Sequence, residues 1–339
     1  MKLINTEEAI GHVLCHDMTQ IIPGEFKDAV YRKGHIVTEE DIPILLSMGK
    51  KHLYVWEKKE GMVHEDDAAV LLKDICIGPG MVSSEIKEGK VTITASVEGM
   101  FQVNSEKLRK INGIGEVIIA TCQGNYPVRA GDKLAAARVV PLVIRKELLD
   151  ETVKIADGKP LLSILPYQAK KAYIITTGSE VYSGRIRDAF GPALSRKLAE
   201  YNVQLLGQKI LDDDPEEITM AIHTAVSQGA DLILCTGGMS VDPDDTTPAA
   251  IKNTGAHVVT YGAPVLPGAM LLLAYLENEI PVIGLPGCVM YSRRTIFDLI
   301  LPRILAGELL KKEDLTDLGE GGLCLNCDIC HFPNCGFGK

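Results

Sequence analysis

The sequence predicts an α/β protein: an open, mostly parallel wound sheet, preceded by a β-rich α+β N-terminal region and followed by a short Cys-rich tail. Three observations predict this class. Short apolar segments alternate with amphipathic ones between residues 167 and 310, and the residues before them form mostly short strand patterns. Four of the nine cysteines lie in the last 16 residues. Strands that alternate with helices pair in parallel through right-handed crossovers.

The composition of the chain limits its size, its partners and its location. With 339 residues, 46% of them hydrophobic and 24% charged, the chain has the size of two or three globular domains. A net charge of −10 argues against a broad surface for nucleic acid or an anionic membrane. The richest apolar run, 263–276, is broken by prolines and shorter than the ~20 residues that span a bilayer. Residues 1–8 lack the apolar core of a secretory signal, and the dispersed cysteines do not suggest disulfides, so we expect a reduced, cytoplasmic protein.

The first half divides into two predicted modules, 1–67 and 68–166. Strand and turn patterns alternate in both, and we find no catalytic constellation among their residues. In the first module we predict a strand, a turn and a second strand over 30–37, a helix from 38 to 48 ended by Gly49, a strand over 52–56 and a charged linker over 57–67. In the second we predict strands over 90–97 and 116–121, and a Gly-Asp turn leading into a strand within 128–136.

The second half carries the βα alternation, in a predicted domain of residues 167–310. Its strands are predicted over 172–177, 203–210, 231–235, 256–260 and 280–284, and its helices over 184–201 and 215–227, near 248 and after Gly287. Asp214, Pro215 and Glu217 have the spacing of a capping box. Ligands of such sheets bind outside the carboxyl ends of the strands, so the loops after the strands are the expected site.

Three of these loops have unusual sequences. The first contains Thr177, Gly178 and Glu180 and continues to Asp188, and the third contains Pro286 and Gly287. Each acidic residue of the first loop has an alternative reading as a turn or surface residue. Four nearby arginines are candidate partners for an anion: Arg185, Arg187, Arg293 and Arg294.

The middle loop is the most informative of the three. Gly237 and Gly238 follow a buried strand directly, which lets the backbone approach a ligand and present its N–H groups. Thr247 and Pro248 fit the N-cap and first position of the next helix. Three acidic residues precede that helix and could hold Mg²⁺, namely Asp242, Asp244 and Asp245. The alternative is a glycine turn followed by an acidic run that only caps the helix.

The Cys-rich tail, residues 311–339, has its own pattern. Cys324, Cys327, Cys330 and Cys335 are spaced C-x2-C-x2-C-x4-C, which suits tetrahedral Zn²⁺ or an iron–sulfur cluster. The glycine-rich stretch 319–322 before them predicts a flexible tether. Unligated thiols on a disordered segment are the alternative.

Five ordered motifs in the second half resemble those of a known family. They are Thr177-Gly178-Ser179-Glu180, Arg185-Ile186-Arg187-Asp188, Asp213-Asp214-Pro215, Gly237-Gly238-Met239-Ser240-Val241 with Asp245, and Leu285-Pro286-Gly287. Together they resemble the molybdopterin-binding domain shared by molybdopterin molybdenumtransferases, molybdopterin adenylyltransferases and CinA-like proteins. The resemblance covers some 40% of the chain, and the layout is most similar to the transferases.

The resemblance implies a function in molybdenum cofactor biosynthesis. Molybdopterin, or its adenylylated form, would bind at the strand ends, and molybdate or tungstate would enter its dithiolene as AMP is released with the help of Mg²⁺. The backbone of Gly237, Gly238 and Ser240 would hold the anionic end. Asp245 and Glu180, with Asp242 and Asp188, would hold Mg²⁺ or position water. Relatives of this domain usually associate, which implies a homo-oligomer.

Departures from the transferase pattern leave two further interpretations open. This chain has Leu266-Pro267-Gly268-Ala269 where the transferases have Lys-Pro-Gly-Lys, and Cys288 where they have Asn. A protein that only carries or senses the cofactor, and contacts the apo-protein of a molybdoenzyme, is therefore one alternative. A CinA-like hydrolase of a nucleotide derivative is the other, because the Gly237-Gly238 loop with its acidic run also resembles that branch.

Overall fold

The computed structural model describes residues 2–22, 26–55, 60–168, 170–240, 242 and 245–339. The chain folds as two compact units. The first contains residues 1–96, 103–124 and 130–163, and the second contains 97–102, 125–129 and 164–339. Two predictions concern residues outside these ranges: Trp56, the predicted end of the strand over 52–56, and Asp244, one of the three acidic residues that could hold Mg²⁺.

Up to residue 165 the chain is a succession of short strands with four helices. The strands are β1 Lys2–Asn5, β2 Met18–Ile22, β3 Phe26–Tyr31, β4 His52–Val55, β5 Met62–His64, β6 Met81–Ser83, β7 Lys90–Ala95, β8 Gly99–Val103, β9 Val117–Thr121, β10 Tyr126–Val128, β11 Lys133–Val139, β12 Val143–Arg145 and β13 Leu162–Leu165. The helices are α1 Asp41–Ser47, α2 Glu65–Cys76, α3 Ser105–Asn112 and α4 Lys146–Ala156. The largest sheet has the order β6-β7-β11-β9, and a three-stranded sheet has the order β10-β8-β13.

Helix α2 corrects the predicted linker over 57–67. The acidic run Glu65-Asp66-Asp67 begins a helix, because acidic side chains favour a helix N-terminus and the His64 side chain accepts a hydrogen bond from the Asp66 amide. Its buried face contains Ala68, Leu72 and Cys76. By contrast, α1 ends as predicted, with Gly49 in the left-handed region at φ 78°.

From residue 171 onward the chain forms the predicted wound sheet. Its strands are β14 Lys171–Thr177, β15 Gln204–Leu211, β16 Leu232–Thr236, β17 His257–Tyr261, β18 Leu272–Tyr275 and β19 Pro281–Leu285. They are ordered β15-β14-β16-β19-β18-β17. Strands β15, β14, β16 and β19 pair in parallel, and β18 pairs antiparallel with both β19 and β17. The helices are α5 Ser179–Tyr182, α6 Phe190–Ala199, α7 Pro215–Ser227, α8 Thr247–Asn253, α9 Ile296–Leu305 and α10 Lys312–Thr316.

The two faces of this sheet bury separate cores. Alternate strand residues such as Ile174 and Ile283 pack with α6 and α9, whereas Ile175 and Val282 pack with α7 and α8. The fold class predicted from the sequence is confirmed by this arrangement. Strand β18 was not predicted, because it is a four-residue part of the apolar run 263–276, in which two prolines and Gly268 obscure any strand pattern.

Three helices begin later than predicted: α1 begins at Asp41 rather than at residue 38, and α6 and α9 are delayed further. Helix α6 begins at Phe190, because the Asp188 carboxylate accepts hydrogen bonds from the Phe190 and Gly191 amides and so fixes the start. Helix α9 begins at Ile296, after a 3₁₀ turn over Gly287–Met290, because Thr295 and Asp298 form a reciprocal capping box. Among the helices in the described ranges, none combines the length and the apolar character needed to cross a membrane.

Candidate functional site

Three neighbouring parallel strands end at the same level of the sheet. Thr176 of β14 pairs with Thr236 of β16, and Thr236 pairs in turn with Leu285 of β19. The first, middle and third loops begin directly after these residues. The strand register therefore brings all three loops to one edge, the carboxyl edge of the sheet.

The glycines of the middle loop pack tightly against the first loop. Gly237 has φ 86°, and a Cβ atom built on it would lie 2.0 Å from the carbonyl oxygen of Thr177. Gly238 has φ 51°, and its Cβ would lie 2.9 Å from Oγ1 of Thr247. Only glycine satisfies both the backbone angle and the space at Gly237.

Two buried hydroxyl groups join the first loop to the start of α8. Oγ1 of Thr177 lies 3.1 Å from Oγ1 of Thr247, and the Thr247 amide donates to the Gly238 carbonyl at 3.3 Å. The predicted N-cap role of Thr247 is wrong: Thr246 takes that position and Thr247 is the first of seven helical residues. The Thr247 hydroxyl pairs with Thr177 instead of bonding to the backbone of α8.

Asp213 belongs to this cluster, although the sequence analysis gave it no role in the site. Its Oδ2 accepts a hydrogen bond from the Ser179 amide at 3.1 Å, and its carbonyl accepts from Oγ1 of Thr246 at 2.9 Å. Its Oδ1 is buried, has no hydrogen-bond partner among the described residues, and would lie 3.3 Å from a Cβ at Gly238. Burial and the nearby carboxylates of Asp212 and Asp245 raise the pKa of Asp213.

The sequence signal for Asp213 was its place in the Asp213-Asp214-Pro215 motif, where only one of the two aspartates is needed as a helix cap. Asp214 alone caps α7, accepting from the amides of Glu216 and Glu217. This confirms the cap predicted there and leaves Asp213 with no part in it.

Tyr261 is a second residue that the sequence analysis missed. Its hydroxyl donates to the carbonyl oxygens of Met239 at 3.1 Å and Ser240 at 3.3 Å, so it holds the middle loop from β17. Burial, with a contribution from the negative charge of Asp245, raises the pKa of Tyr261. Met239 itself is buried against Gly284, where a Cβ would lie 2.6 Å from its Cε.

Asp242 and Asp245 lie close together in the middle loop. Oδ2 of Asp245 accepts from the Asp242 amide at 3.2 Å, and the Asp245 amide donates to the Asp242 carbonyl at 3.0 Å. Asp242 is exposed and Asp245 half-buried. Ser240, just before them, is exposed. Within the described ranges no three Cys, His, Asp or Glu side chains are close enough together to hold one metal ion.

Glu180 and Asp188 have different surroundings from each other. Glu180 is exposed on the four-residue helix α5, for which Gly178 is the N-cap. The Asp188 carboxylate caps α6 and accepts from Nε2 of Gln208 at 2.7 Å. These contacts give Asp188 a structural task at β15, the edge strand beside β14.

The third loop and the arginines after it are only partly available to a ligand. Pro286 is half-buried, and Gly287 is exposed with nothing near its Cβ position except Cε of Met290 at 4.0 Å. Arg294 pairs with Glu200 at 2.8 Å and Asp298 at 2.9 Å. Its role as a partner for a bound anion is thus opposed by two carboxylates.

Arg293 contacts the tail, and Arg185 and Arg187 lie on an exposed segment. Nη1 of Arg293 donates to the carbonyl oxygens of Asp328 at 2.6 Å and Cys327 at 3.4 Å. Both Arg185 and Arg187 are exposed. None of the four arginines is held against the glycine pair by a described contact.

The Cys-rich tail packs on the second unit, and the flexible tether predicted at 319–322 is wrong. A Cβ at Gly321 would lie 2.0 Å from the Lys339 carbonyl oxygen, and one at Gly322 would lie 2.3 Å from the Leu318 carbonyl oxygen. Close backbone packing therefore fixes this stretch. All four tail cysteines are free thiols.

Parts of the chain are similar to known proteins. Residues 173–306 match the family described as "Probable molybdopterin binding domain", and residues 3–57 match a "Domain of unknown function (DUF8806)". A CinA-like protein of Mycobacterium avium is 39% identical over 83 residues, which are 24% of this chain and 19% of that protein. The chain thus matches about a fifth of the length of such curated relatives.

Solved structures are similar to this chain over about two fifths of its length. CinA of Thermoplasma acidophilum, with 20% identity and a TM-score of 0.33, covers 40% of this chain and 98% of its own. The tungsten cofactor synthesizing protein MoaB of Pyrococcus furiosus, with 21% identity and a TM-score of 0.33, covers 42% and 92%. The segment 173–306 of this protein is thus similar to the family described as a probable molybdopterin binding domain.

Proposed function

We propose that this protein binds molybdopterin, or its adenylylated form, at the carboxyl edge of the six-stranded sheet during molybdenum cofactor biosynthesis. The observation that carries the proposal is the level ending of β14, β16 and β19 within the segment that matches the family. It puts three loops beside one another, and the middle loop approaches the first so closely that only hydrogen fits at Gly237.

The residues of this edge divide by exposure into a base and a binding rim. Thr177 and Thr247 are buried and bonded to each other, so we assign them to shaping the base. Gly237, Gly238 and Ser240 would present backbone N–H groups to the anionic end of the ligand. Gly178, Pro286 and Gly287 would line the two flanking loops.

Asp242 and Asp245 are the residues that would hold Mg²⁺. Mg²⁺ commonly takes one or two protein carboxylates and keeps several waters, and this pair meets that requirement. When bound, the ion would neutralise phosphate oxygens and favour cleavage of the phosphoanhydride that links molybdopterin to AMP. We assign Asp245 and Glu180 to assisting the attacking water, and Asp213 to a positioning role. Asp188, expected to assist as well, has its carboxylate engaged by the start of α6 and by Gln208.

A transferase-like enzyme that releases AMP is the activity we favour, and two observations keep alternatives in view. Leu266 and Ala269 offer no cation for an oxyanion, and Leu266 is bonded to the tail through Gly322 and Cys324, which favours a carrier or sensor of the finished cofactor. The CinA-like relative at 39% identity favours a hydrolase of a nucleotide derivative.

One experiment separates these activities. The purified full chain is incubated with molybdopterin, adenylyl-molybdopterin and a pyridine nucleotide, each with and without Mg²⁺ and molybdate, while bound pterin and released AMP are measured. We expect pterin binding and Mg²⁺-dependent AMP release from the adenylylated ligand. Retention without turnover would select the carrier, and cleavage of the pyridine nucleotide would select the hydrolase.

Asp245→Asn is the informative variant, and Asp231→Asn is its matched control. Asp231 precedes β16 at the opposite end of the strand, where it accepts from the Lys171 amide at 2.6 Å. We expect Asp245→Asn to lower AMP release at least tenfold and Asp231→Asn to leave it unchanged. Equal rates in the two variants would refute the role of Asp245, and a chain that binds no pterin would refute the proposal as a whole.

A further inference from the structure

The four tail cysteines line one cavity. Its volume is about 610 Å³, and its wall is completed by Tyr291–Arg294, Phe332 and Phe337. This cavity lies beside the segment that follows the third loop, on the second unit alone. Cysteines that are separated in sequence by two, two and four residues therefore border a single cavity.

The four cysteines differ in burial. Cys324 and Cys335 are half-buried and pack against the core that contains α9, whereas Cys327 and Cys330 are exposed. Unligated cysteines are usually buried as small apolar residues, and exposed thiols are open to oxidation. Two half-buried and two exposed cysteines on one cavity are consistent with a metal site whose ligands are not yet bonded to a metal.

The backbone that carries the thiols is ordered on both sides. The Leu266 amide donates to the Gly322 carbonyl and the Cys324 amide donates to the Leu266 carbonyl, both at 2.8 Å. At the other end Gly338 donates to the Gly321 carbonyl at 3.0 Å, and Phe337 is only 5% exposed. The ends of the cysteine loop are thus held while its middle reaches into solvent.

The cavity also contains an uncompensated positive charge. Arg293 donates only to carbonyl oxygens of the tail and has no carboxylate partner within the described ranges. Its neighbour Arg294 is paired with Glu200 and Asp298. Four thiolates around a divalent ion carry a net charge of about −2, which a nearby guanidinium stabilises.

We propose that this cavity is a four-thiolate metal centre, with Cys324, Cys327, Cys330 and Cys335 as its ligands. As each sulfur bonds to the metal, its thiol proton leaves to solvent. The same ligand set takes one Zn²⁺, or an iron–sulfur cluster when iron and inorganic sulfide are supplied together. In the conformation described here no three such side chains converge, so binding closes the exposed Cys327–Cys330 turn onto the half-buried pair.

Such a centre would fix the position of the segment after the third loop. Arg293 already bonds the backbone of Cys327 and Asp328, so closing the turn around a metal immobilises Tyr291–Arg294 as well. The metal thereby connects the tail to the loop region that follows β19. This inference does not depend on which ligand the carboxyl edge binds.

Metal analysis of the full chain tests the proposal. The protein is purified without oxygen, then reconstituted separately with Zn²⁺ and with Fe³⁺, dithiothreitol and sulfide, and its zinc, iron and acid-labile sulfide are measured after desalting against a weak chelator. We expect one centre per chain, either one zinc or iron with matching sulfide and visible charge-transfer absorption. A chain that retains no stoichiometric metal in either arm would overturn the proposal, whatever its pterin binding.

Cys330→Ser and Cys122→Ser form a matched pair of variants. Cys122 is also an exposed free thiol but belongs to the first unit. We expect Cys330→Ser to lose at least nine-tenths of the metal and Cys122→Ser to keep all of it. Full metal content in Cys330→Ser would overturn the assignment, and the wild-type stoichiometry decides the question even if that variant does not fold.

Discussion

Replacing Gly237 by alanine tests whether the middle loop really rests against the end of β14. Gly237 has φ 86°, and an L residue in the left-handed region costs about 1–2 kcal/mol. Its Cβ would also lie 2.0 Å from the Thr177 carbonyl oxygen, so the loop or the strand end must move by about 1.4 Å to reach ordinary contact, which begins at 3.4 Å. That movement breaks the hydroxyl bond between Thr177 and Thr247, worth about 1 kcal/mol. The total loss is about 2–3 kcal/mol.

Gly229→Ala is the matched control for the backbone angle. Gly229 has φ 88° and nothing within 4 Å of its Cβ position, so it incurs only the cost of the left-handed backbone, about 1–2 kcal/mol. Hydrogen exchange read by mass spectrometry on peptides of β14 and β16 reports the stability of the second unit directly. If Gly237→Ala destabilises these peptides no more than Gly229→Ala does, the described contact with Thr177 is absent and the reasoning fails.

Three further predictions concern ion pairs, pH and capping. Lys197→Met leaves the buried Asp298 with only Arg294 as a charged partner, so we expect about 3 kcal/mol less stability of the second unit in guanidinium unfolding. Burial alone would raise the pKa of Asp41, but its hydrogen bonds hold that pKa well below its ordinary value. The stability that the ionised Asp41 contributes to the fold is therefore full above pH about 4 and is lost as the pH falls further. We expect Asp41→Asn to flatten this dependence of the unfolding free energy on pH. Asp214→Ala removes the N-cap of α7 and should cost about 1 kcal/mol.

Each of these predictions has an outcome that contradicts it. An unchanged unfolding midpoint for Lys197→Met would mean that solvent reaches Asp298. An acid unfolding profile of Asp41→Asn that overlays the wild type would remove this carboxylate from the pH response. For the cap, Asp212→Ala is the control, since the exposed Asp212 bonds only to the Asp213 amide, and equal losses in the two variants would deny Asp214 a special role.

The wound sheet could be predicted because its strands are continuous apolar runs bounded by turns and separated by amphipathic helices. Helix α7, for instance, has the predicted bounds, since Asp214 and Pro215 mark its start in the sequence itself. The start of α9 was predicted too early, after Gly287, although Thr295 and Asp298 have the spacing of a capping box. The Asp298 carboxylate that completes this box is also held by Lys197 from another helix. Local signals fix an element only where no distant side chain competes for its ends.

The same distinction applies to the candidate site. The loops were recognisable as loops after strands, and the strand register brings them to one edge. Asp213 and Tyr261 were not recognised, because their contacts with the middle loop join residues 20 or more positions apart. Conversely, Asp188 and Arg294 were candidate site residues because they are charged. In the structure Asp188 bonds to the start of α6, and Arg294 bonds to the carboxylates of Glu200 and Asp298.

The packing of Met239 on Gly284 implies that two positions in different strand–loop connections share a single volume. The bulk of the thioether occupies the space that any side chain at 284 would need. A larger residue at position 284 would therefore push the middle loop outward. A smaller residue at position 239 would make room for a side chain at position 284. The position of the middle loop at the carboxyl edge thus depends, in part, on the neighbouring strand β19, where Gly284 lacks a Cβ atom.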